Sequence, residues 1–326
     1  VRISPMTQST QVIRILLMGV GNVGRRVLEL LLAKESRLRE RMGREVRLVG
    51  VADGRGAVLG ANGLDLQRIL DLKAAHSSVA AYPCWGRPGL SALEMVQTAE
   101  ADVLLEASPA SLSDGQPGLS CVEAALDRGM HVVTANKALL AHHGKELFAA
   151  ARKAGRSISF EASCAGGIPI VQVLISGLSA NRIDALYGIV NGTCNFILTE
   201  MIREGKSYTQ ALADAQAAGL AEADPTLDVS GGDSAHKLAI LAALAFEHSV
   251  DFNTIPVQGI DSLEVMDVNF GRELGFVIKL LAVAQRRGDA LSLRVRPAFI
   301  WEDHPLAWIS GPFNAVSIYG SAVGHT

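Results

Sequence analysis

The sequence predicts an α/β protein in two domains. Residues 1–160 alternate strands and helices on a parallel sheet, and residues 161–326 form an α+β domain with a mixed or antiparallel sheet. Three observations lead there. The length of 326 residues exceeds the roughly 100–200 residues of a usual single core. Apolar runs of strand length alternate with helical patterns up to about residue 160, the rhythm of βαβ units. A glycine-rich turn joins the first of these runs to the first helical pattern.

That first run, VIRILLM at 12–18, ends in GVGNVG at 19–24 and passes into a helical pattern at 25–32. In such a turn the first glycine, Gly19, permits the tight bend. The second, Gly21, lets backbone approach a pyrophosphate, and the third, Gly24, allows close helix–strand packing. The helix N-terminus then faces the phosphates. A lone GxGxxG also describes an ordinary turn; its strand-then-helix context makes it a Rossmann fingerprint. A second run, 46–52, stops at Asp53, where an acidic side chain commonly holds the adenosine ribose hydroxyls; Asp53 also suits a turn cap. Residues 34–44 read as a charged extension of the first helix, which lengthens the spacing beyond the usual ~20 residues. Arg55 suits a 2′-phosphate, so NAD and NADP both stay open. Runs at 101–106 and 130–134 flank a helical pattern at 120–128. Their tips, Ser108-Pro109 and Ala135-Asn136-Lys137, lie where open parallel sheets bind ligands. On pattern alone Lys137 reads equally well as a solvated lysine at a strand end.

Composition narrows the function classes. Hydrophobic residues make up 49% and charged ones 19%, the balance of an ordinary globular enzyme. A net charge of −3 supplies no basic field to hold a polyanion, which argues against nucleic acid and acidic membranes and for a small-molecule partner. No apolar run reaches the roughly 18 residues of a membrane span, and VRISPMTQSTQ lacks the apolar centre of a signal peptide, so a cytoplasmic location is expected. The 4 cysteines, Cys84, Cys121, Cys164 and Cys194, form no CxxC pair, so neither structural zinc nor a disulfide framework is expected. Cys194 is a candidate nucleophile, although a buried thiol is the commoner role of an isolated cysteine.

After residue 160 the text FEASCAGGIPI reads as a strand, a glycine-rich turn and a proline suited to a helix start, and the domain crossover is expected here. Strand patterns at 184–190, 249–259 and 292–300 are interleaved with helical ones at 211–219 and 235–246. The most informative stretch is GLAEADPTLDVSGGDSAHK at 219–237, with Glu222, Asp224, Asp228 and Asp233 ahead of an apolar helix. On a 3.6-residue repeat Lys237 shares a face with Ile240, Leu241 and Leu244, so its ammonium lies along a stripe that should be buried. Asp233, four residues earlier, can reach it and offset the desolvation. The same pattern describes a snorkelling lysine with a local ion pair. Hydride transfer to an aldehyde creates an alkoxide that needs a proton or a positive charge beside it, and a partly desolvated lysine supplies both. The remaining carboxylates suit a cationic group on the substrate.

These residues resemble the homoserine dehydrogenases. The likeness runs from GVGNVG through TANK, EASCAGGIPI, NGTCNFIL and GLAEADPTLDVSGGDSAHKLAILA to NAVS at 314–317, nearly the whole chain. It implies NAD(P)H-dependent interconversion of L-aspartate 4-semialdehyde and L-homoserine, in threonine and methionine biosynthesis. It further implies Lys237 as proton donor and acceptor, and Lys137 beside nicotinamide and substrate. Glu222 would bind the substrate amino group. Asp228 and Asp233 would bind substrate or orient the lysine, with Gly192 and Thr193 contributing from the NGT turn. Gly19, Gly21, Asn22, Val23, Gly24, Ser108 and Lys137 match the cofactor contacts, and Arg55 and Lys73 lie near positions that bind a 2′-phosphate in some members, a slight lean to NADP. A sodium ion, held in the turn matching Glu161, Cys164, Gly166 and Ile168, and a homodimer formed through the second domain also follow from the resemblance.

Family members usually continue past GSAVGHT with a tyrosine, a glycine-rich motif and a helix that returns to the nucleotide domain. A C-terminal truncation is therefore expected, as is the lack of a regulatory or kinase domain. Three alternatives are a dehydrogenase of another amino acid, an acylating semialdehyde dehydrogenase working through Cys194, and a non-catalytic dinucleotide sensor.

Overall fold

The computed structural model describes residues 11–109, 111 and 114–326. The stretch at 1–10, on which most of the signal-peptide reading falls, lies outside the described residues. The chain divides into two compact units, one ending at Phe160 and the other running from Glu161 to Thr326. Among the described residues no helix is long and apolar enough to cross a membrane.

The first unit carries seven strands: β1 (Gln11–Met18), β2 (Arg44–Asp53), β3 (Gly56–Leu59), β4 (Gly86–Pro88), β5 (Val103–Glu106), β6 (His131–Thr134) and β7 (Ile158–Ser159). They lie in the order β4-β3-β2-β1-β5-β6-β7. The five strands from β2 to β7 in that order are parallel, while β3 and β4 add an antiparallel edge. On β1, Ile15 and Leu17 join Leu28, Leu48 and Ile69 on one face, and Leu16 and Met18 join Leu104, Cys121 and Leu126 on the other. That is the period-two pattern of a strand buried on both sides. Chain order reverses at β1, so the carboxyl ends of β1 and β5 flank the crevice where such sheets take ligands.

Two local readings are corrected here. The first helix stops at Ala33, and a second, Glu35–Met42, follows after Lys34 leaves helical geometry at φ −120°. Residues 34–44 are therefore no extension of it; their charges suit a helix on either side of a break that no Gly or Pro announces. The antiparallel edge departs from the expected parallel sheet because only Gly54 and Arg55 separate β2 from β3, too short a link for a parallel crossover.

The second unit holds β8 (Ile183–Ile189), β9 (Phe276–Arg287), β10 (Ala290–Trp301), β11 (Ala315–Gly320) and β12 (Gly324–His325) in the order β10-β9-β8-β11-β12. Of the mixed and antiparallel arrangements the pattern allows, this sheet takes the antiparallel one; the mixed sheet belongs to the first unit. Residues 249–259 form no strand. They contain a short 3₁₀ turn, Phe252–Thr254, and a single parallel bridge from Val257 to Val295. Asp251 caps the amide of Asn253 and Pro256 has no N–H, and both favour irregular backbone over a ladder.

On β9 sits Lys279, 1% exposed. Its ammonium donates to Asn195 Oδ1 at 3.0 Å and to the carbonyl of Ile309. Asn195 Nδ2 in turn donates to the carbonyls of Ile309, Gly311 and Phe313 at 3.2, 2.9 and 3.2 Å. This network pins the loop before β11 to the helix Gly192–Glu204. Burial, with the charge of Arg203 nearby, brings the Lys279 pKa down to about 8. An unfolded lysine titrates near ~10.4, so between these values the unfolded chain binds more protons and stability rises with pH. The cost of burying the charge is full below about 8 and absent above ~10.4. Replacing Lys279 by Met should therefore give a variant whose stability, measured by urea unfolding, falls progressively further behind the parent from pH 7.5 to 10. A pH-independent difference would show that the fold leaves the Lys279 pKa at its unfolded value.

Candidate active site

The glycine turn has the shape that a dinucleotide requires. Gly19 takes φ +91°, and a Cβ there would lie 2.4 Å from the carbonyl oxygen of Ala107. Its amide donates to Ala52 O at 2.9 Å, and Ala107 N donates to Met18 O at 2.8 Å, locking the turn between the ends of β2, β1 and β5. A Cβ on Gly24 would meet Gly19 O at 2.0 Å, whereas one on Gly21 would meet nothing within 4 Å. Two of the glycines are thus filled by the protein itself and the middle one borders open space. The helix Asn22–Ala33 starts after Gly21 with no side-chain cap and no acidic residue in its first turn. Its amides at Asn22, Val23 and Gly24 suit an anion.

At the tip of β2, Asp53 is already engaged. It accepts from Lys73 Nζ at 2.9 Å, Ser78 Oγ at 2.7 Å, Val79 N at 3.0 Å and Arg55 N at 3.1 Å. Burial alone would raise its pKa; these four donors outweigh that and hold the carboxyl below its usual range. Four donors fill the lone-pair sites of a carboxylate, and Lys73 neutralises it. The guanidinium of Arg55 donates to His76 O at 3.0 Å and is exposed. Ser108 follows β5, and Lys137 opens the helix Lys137–Ala154, which Asn136 caps by accepting from Leu139 N at 3.0 Å. A cation in the first turn opposes the helix dipole, an unusual placement for a residue with no task.

The second unit assembles the lysine–carboxylate cluster. Lys237 lies on the helix Gly232–Phe246 and donates to Asp233 Oδ2 and to Val190 O, both at 2.7 Å. Asp233 is 2% exposed. Asn191, which sequence reasoning passed over, joins the rest. Its Oδ1 accepts from Cys194 N at 2.8 Å, which fixes the amide so that Nδ2 donates to Asp228 Oδ1 and Asp233 Oδ2, each at 2.8 Å. The missed signal is an asparagine directly ahead of a helix, a preferred N-cap. Gly192 has no room for a side chain, since a Cβ would lie 2.8 Å from Pro312 O. The hydroxyl of Thr193 donates to Leu220 O at 2.7 Å and ties the acidic loop to the helix. Two of the three ammonium protons of Lys237 are committed, which leaves the third for an oxygen brought beside it.

The other expected residues differ in how they relate to this cluster. Glu222 is exposed, and among the described residues no hydrogen bond joins its side chain to Lys237, Asp228 or Asp233. Glu161 accepts from Val171 N at 2.9 Å and Gln172 N at 3.0 Å, one amide per oxygen. The turn that follows holds Cys164 buried and bends through Ala165 and Gly166 at φ 52° and 59° to Ile168. Cys194 is fully buried and donates to Asp228 O at 3.2 Å. Burial first, then Asp228 and Asp233, push its pKa well up, the opposite of what a thiolate nucleophile needs.

A glycine-rich strand–turn–helix in one unit and a lysine paired with a buried carboxylate in the other are features that a nicotinamide-dependent oxidoreductase would use. Comparison with known proteins identifies which. Residues 19–161 match the model of the homoserine dehydrogenase NAD-binding domain and residues 169–326 that of homoserine dehydrogenase. The chain is 38% identical over 96% of its length to the homoserine dehydrogenase of Bacillus subtilis, spanning 67% of that relative. It is 52% identical over 62% of its length to that of Pseudomonas aeruginosa, spanning 46%. The NAD(+)-dependent homoserine dehydrogenase of Pseudomonas canavaninivorans is 35% identical, with 95% of this chain and 88% of the relative aligned. Among solved structures, homoserine dehydrogenases from Thiobacillus denitrificans and Thermoplasma acidophilum superpose with TM-scores of 0.83 and 0.81 at 40% and 28% identity. They cover 98% and 97% of this chain, and 69% and 92% of their own. The chain belongs to the homoserine dehydrogenase family.

The glycines separate fold from binding in a testable way. Gly21→Ala should keep stability within about 0.5 kcal/mol, as a substitution into open space does, yet weaken NADPH binding by about tenfold or more, ~1.4 kcal/mol. Gly24→Ala should lose stability as well. Thermal unfolding and coenzyme fluorescence read both, and equal behaviour of the two variants would contradict the assignment of Gly21 to the phosphates.

Proposed function

We propose that this chain catalyses the reversible NAD(P)H-dependent reduction of L-aspartate 4-semialdehyde to L-homoserine, with Lys237 passing the proton. The observation that carries this is the buried Asp233–Lys237 pair held by Asn191 on a chain of this family. The coenzyme, once bound, supplies the hydride. The protein's own task is to neutralise the alkoxide, and a lysine with one uncommitted proton suits it. In the oxidation direction the same amine receives the proton. Asp228 and Glu222 are acceptors for the substrate ammonium. Gly192 and Thr193 shape the turn, and Lys137 stands with Ser108 at the nicotinamide end. For the coenzyme we favour NADP: Asp53 is neutralised by Lys73 and further bonded to Ser78 and two amides, so it repels a 2′-phosphate less, and the exposed Arg55 guanidinium offers positive charge at the same strand end, with Lys73 beside Asp53. A sodium ion at Glu161 and the carbonyls of Cys164, Gly166 and Ile168, a homodimer and a cytoplasmic location complete the proposal on family resemblance.

Assays with L-aspartate 4-semialdehyde and each coenzyme test it. The parent should turn over, prefer NADPH, and lose roughly 10²–10⁴-fold in kcat on Lys237→Ala, the usual contribution of general acid–base catalysis. Cys194→Ala should keep most of the activity. Repeating the thermal melt in sodium and in choline chloride reads the ion, and sedimentation reads the dimer. A folded, NADPH-binding parent without turnover would overturn the reaction assignment.

A further inference from the structure

The tips of β5 and β6 are joined by a side chain that none of these roles uses. Glu106 ends β5 and is 1% exposed. Its carboxylate accepts from three groups. Ser108 donates to Glu106 Oε1 twice, through its amide at 3.1 Å and its hydroxyl at 2.6 Å. Thr134, the last residue of β6, donates its hydroxyl to Oε2 at 2.6 Å. The Thr134 hydroxyl oxygen then accepts from Asn136 N at 2.9 Å, and Asn136 caps the helix that begins at Lys137. A continuous chain of hydrogen bonds therefore runs from Ser108 through Glu106 and Thr134 to the residue before Lys137, all within the first unit.

The surroundings confirm a tight fit. A Cβ on Gly118 would lie 3.0 Å from Asn136 Nδ2, close enough that the amide would have to shift, and 3.5 Å from Glu106 Oε1, an ordinary contact. Burying a carboxylate is costly unless its oxygens are satisfied, and nothing in sheet packing requires an acid at this position. Its four accepted or relayed bonds all serve the two loops that follow β5 and β6, the carboxyl ends where this class of sheet binds ligands.

We propose that Glu106 is a positioning residue for coenzyme binding, setting Ser108 and Lys137 relative to each other by clamping both strand tips. The inference rests on the proposed placement of Ser108 and Lys137 at the nicotinamide. Glu106 does not itself touch coenzyme; it acts through Ser108 and through Thr134 and Asn136. A neutral amide of the same shape cannot accept at both ends, so Glu106→Gln breaks one side of the clamp and Glu106→Ala breaks both.

The test uses the full chain with NADPH fluorescence titration and steady-state kinetics on L-homoserine with NADP. Glu106→Ala should raise the NADPH Kd and the coenzyme KM at least tenfold while the KM for L-homoserine stays within twofold, and Glu106→Gln should fall between it and the parent. Thr134→Val should cost coenzyme affinity in the parent and little more in Glu106→Gln, since both act on one chain of bonds. If Glu106→Ala does not fold, Glu106→Gln and Thr134→Val, which conserve shape, carry the test. A purely structural role would lower the unfolding temperature and leave the NADPH Kd of the folded variants within twofold of the parent; that result overturns the proposal, as does a parent that binds no NADPH. A parent that binds NADPH without oxidising L-homoserine removes the reaction assignment alone, and the Kd comparison still decides the role of Glu106.

Discussion

One amide holds the second unit's chemistry together. Asn191 sits where β8 ends and the helix Gly192–Glu204 begins, and it spends every polar atom of its side chain. Its oxygen caps the helix, which leaves the NH2 only one way to face, toward Asp228 and Asp233. Asp233 Oδ2 consequently shares two donors, the Asn191 amide and the Lys237 ammonium. Two carboxylates and an amine brought this close inside a protein need such a bridge, because a buried charge without a partner is expensive and the pair must keep one geometry to be useful. Lys237 is tethered to an acid four residues back on its own helix and to the carbonyl of Val190, just past the end of β8. Its position is therefore set by secondary structure, the rigid footing that the proposed proton transfer requires.

The first unit solves a different problem with the same economy of means. A Cβ on Gly24 would meet Gly19 O and one on Gly19 would meet Ala107 O, while Gly21 borders open space. At the neighbouring strand end Asp53 organises the chain around itself: Lys73, Ser78, Val79 and Arg55 all converge on it. An aspartate that reads in sequence as a hydroxyl acceptor for ribose is, in the fold, the anchor of its own loop.

The periodic and glycine-marked parts of this architecture were legible in the sequence. The β1–turn–helix unit, β2, β5, β6, β8 and β10, and the Asp233–Lys237 pairing all follow from local pattern, since each depends on residues a few positions apart. Elements whose cause lies at long range were not. β9 is buried on most of its length, so alternation is lost and its apolar run carries no period. The edge strands β3 and β4 are too short to show one. The segment at 249–259 looks extended by composition, but capping by Asp251 and the missing N–H of Pro256 take it out of the sheet. Asn191, Glu106 and Lys279 escaped notice for a shared reason. Each is polar and buried, and its value comes from partners 28 to 84 residues away, a distance over which no sequence period reaches.

The measurement that bears most directly on the central interaction is a double-mutant cycle on kcat for L-homoserine oxidation, with Asn191→Ala and Lys237→Ala made singly and together. If Asn191 serves catalysis by fixing Asp233 and hence the lysine, the asparagine change costs at least tenfold in the parent and almost nothing once Lys237 is gone. Losses that multiply, with Asn191→Ala as damaging without the lysine as with it, would contradict the claim that this amide works through Lys237.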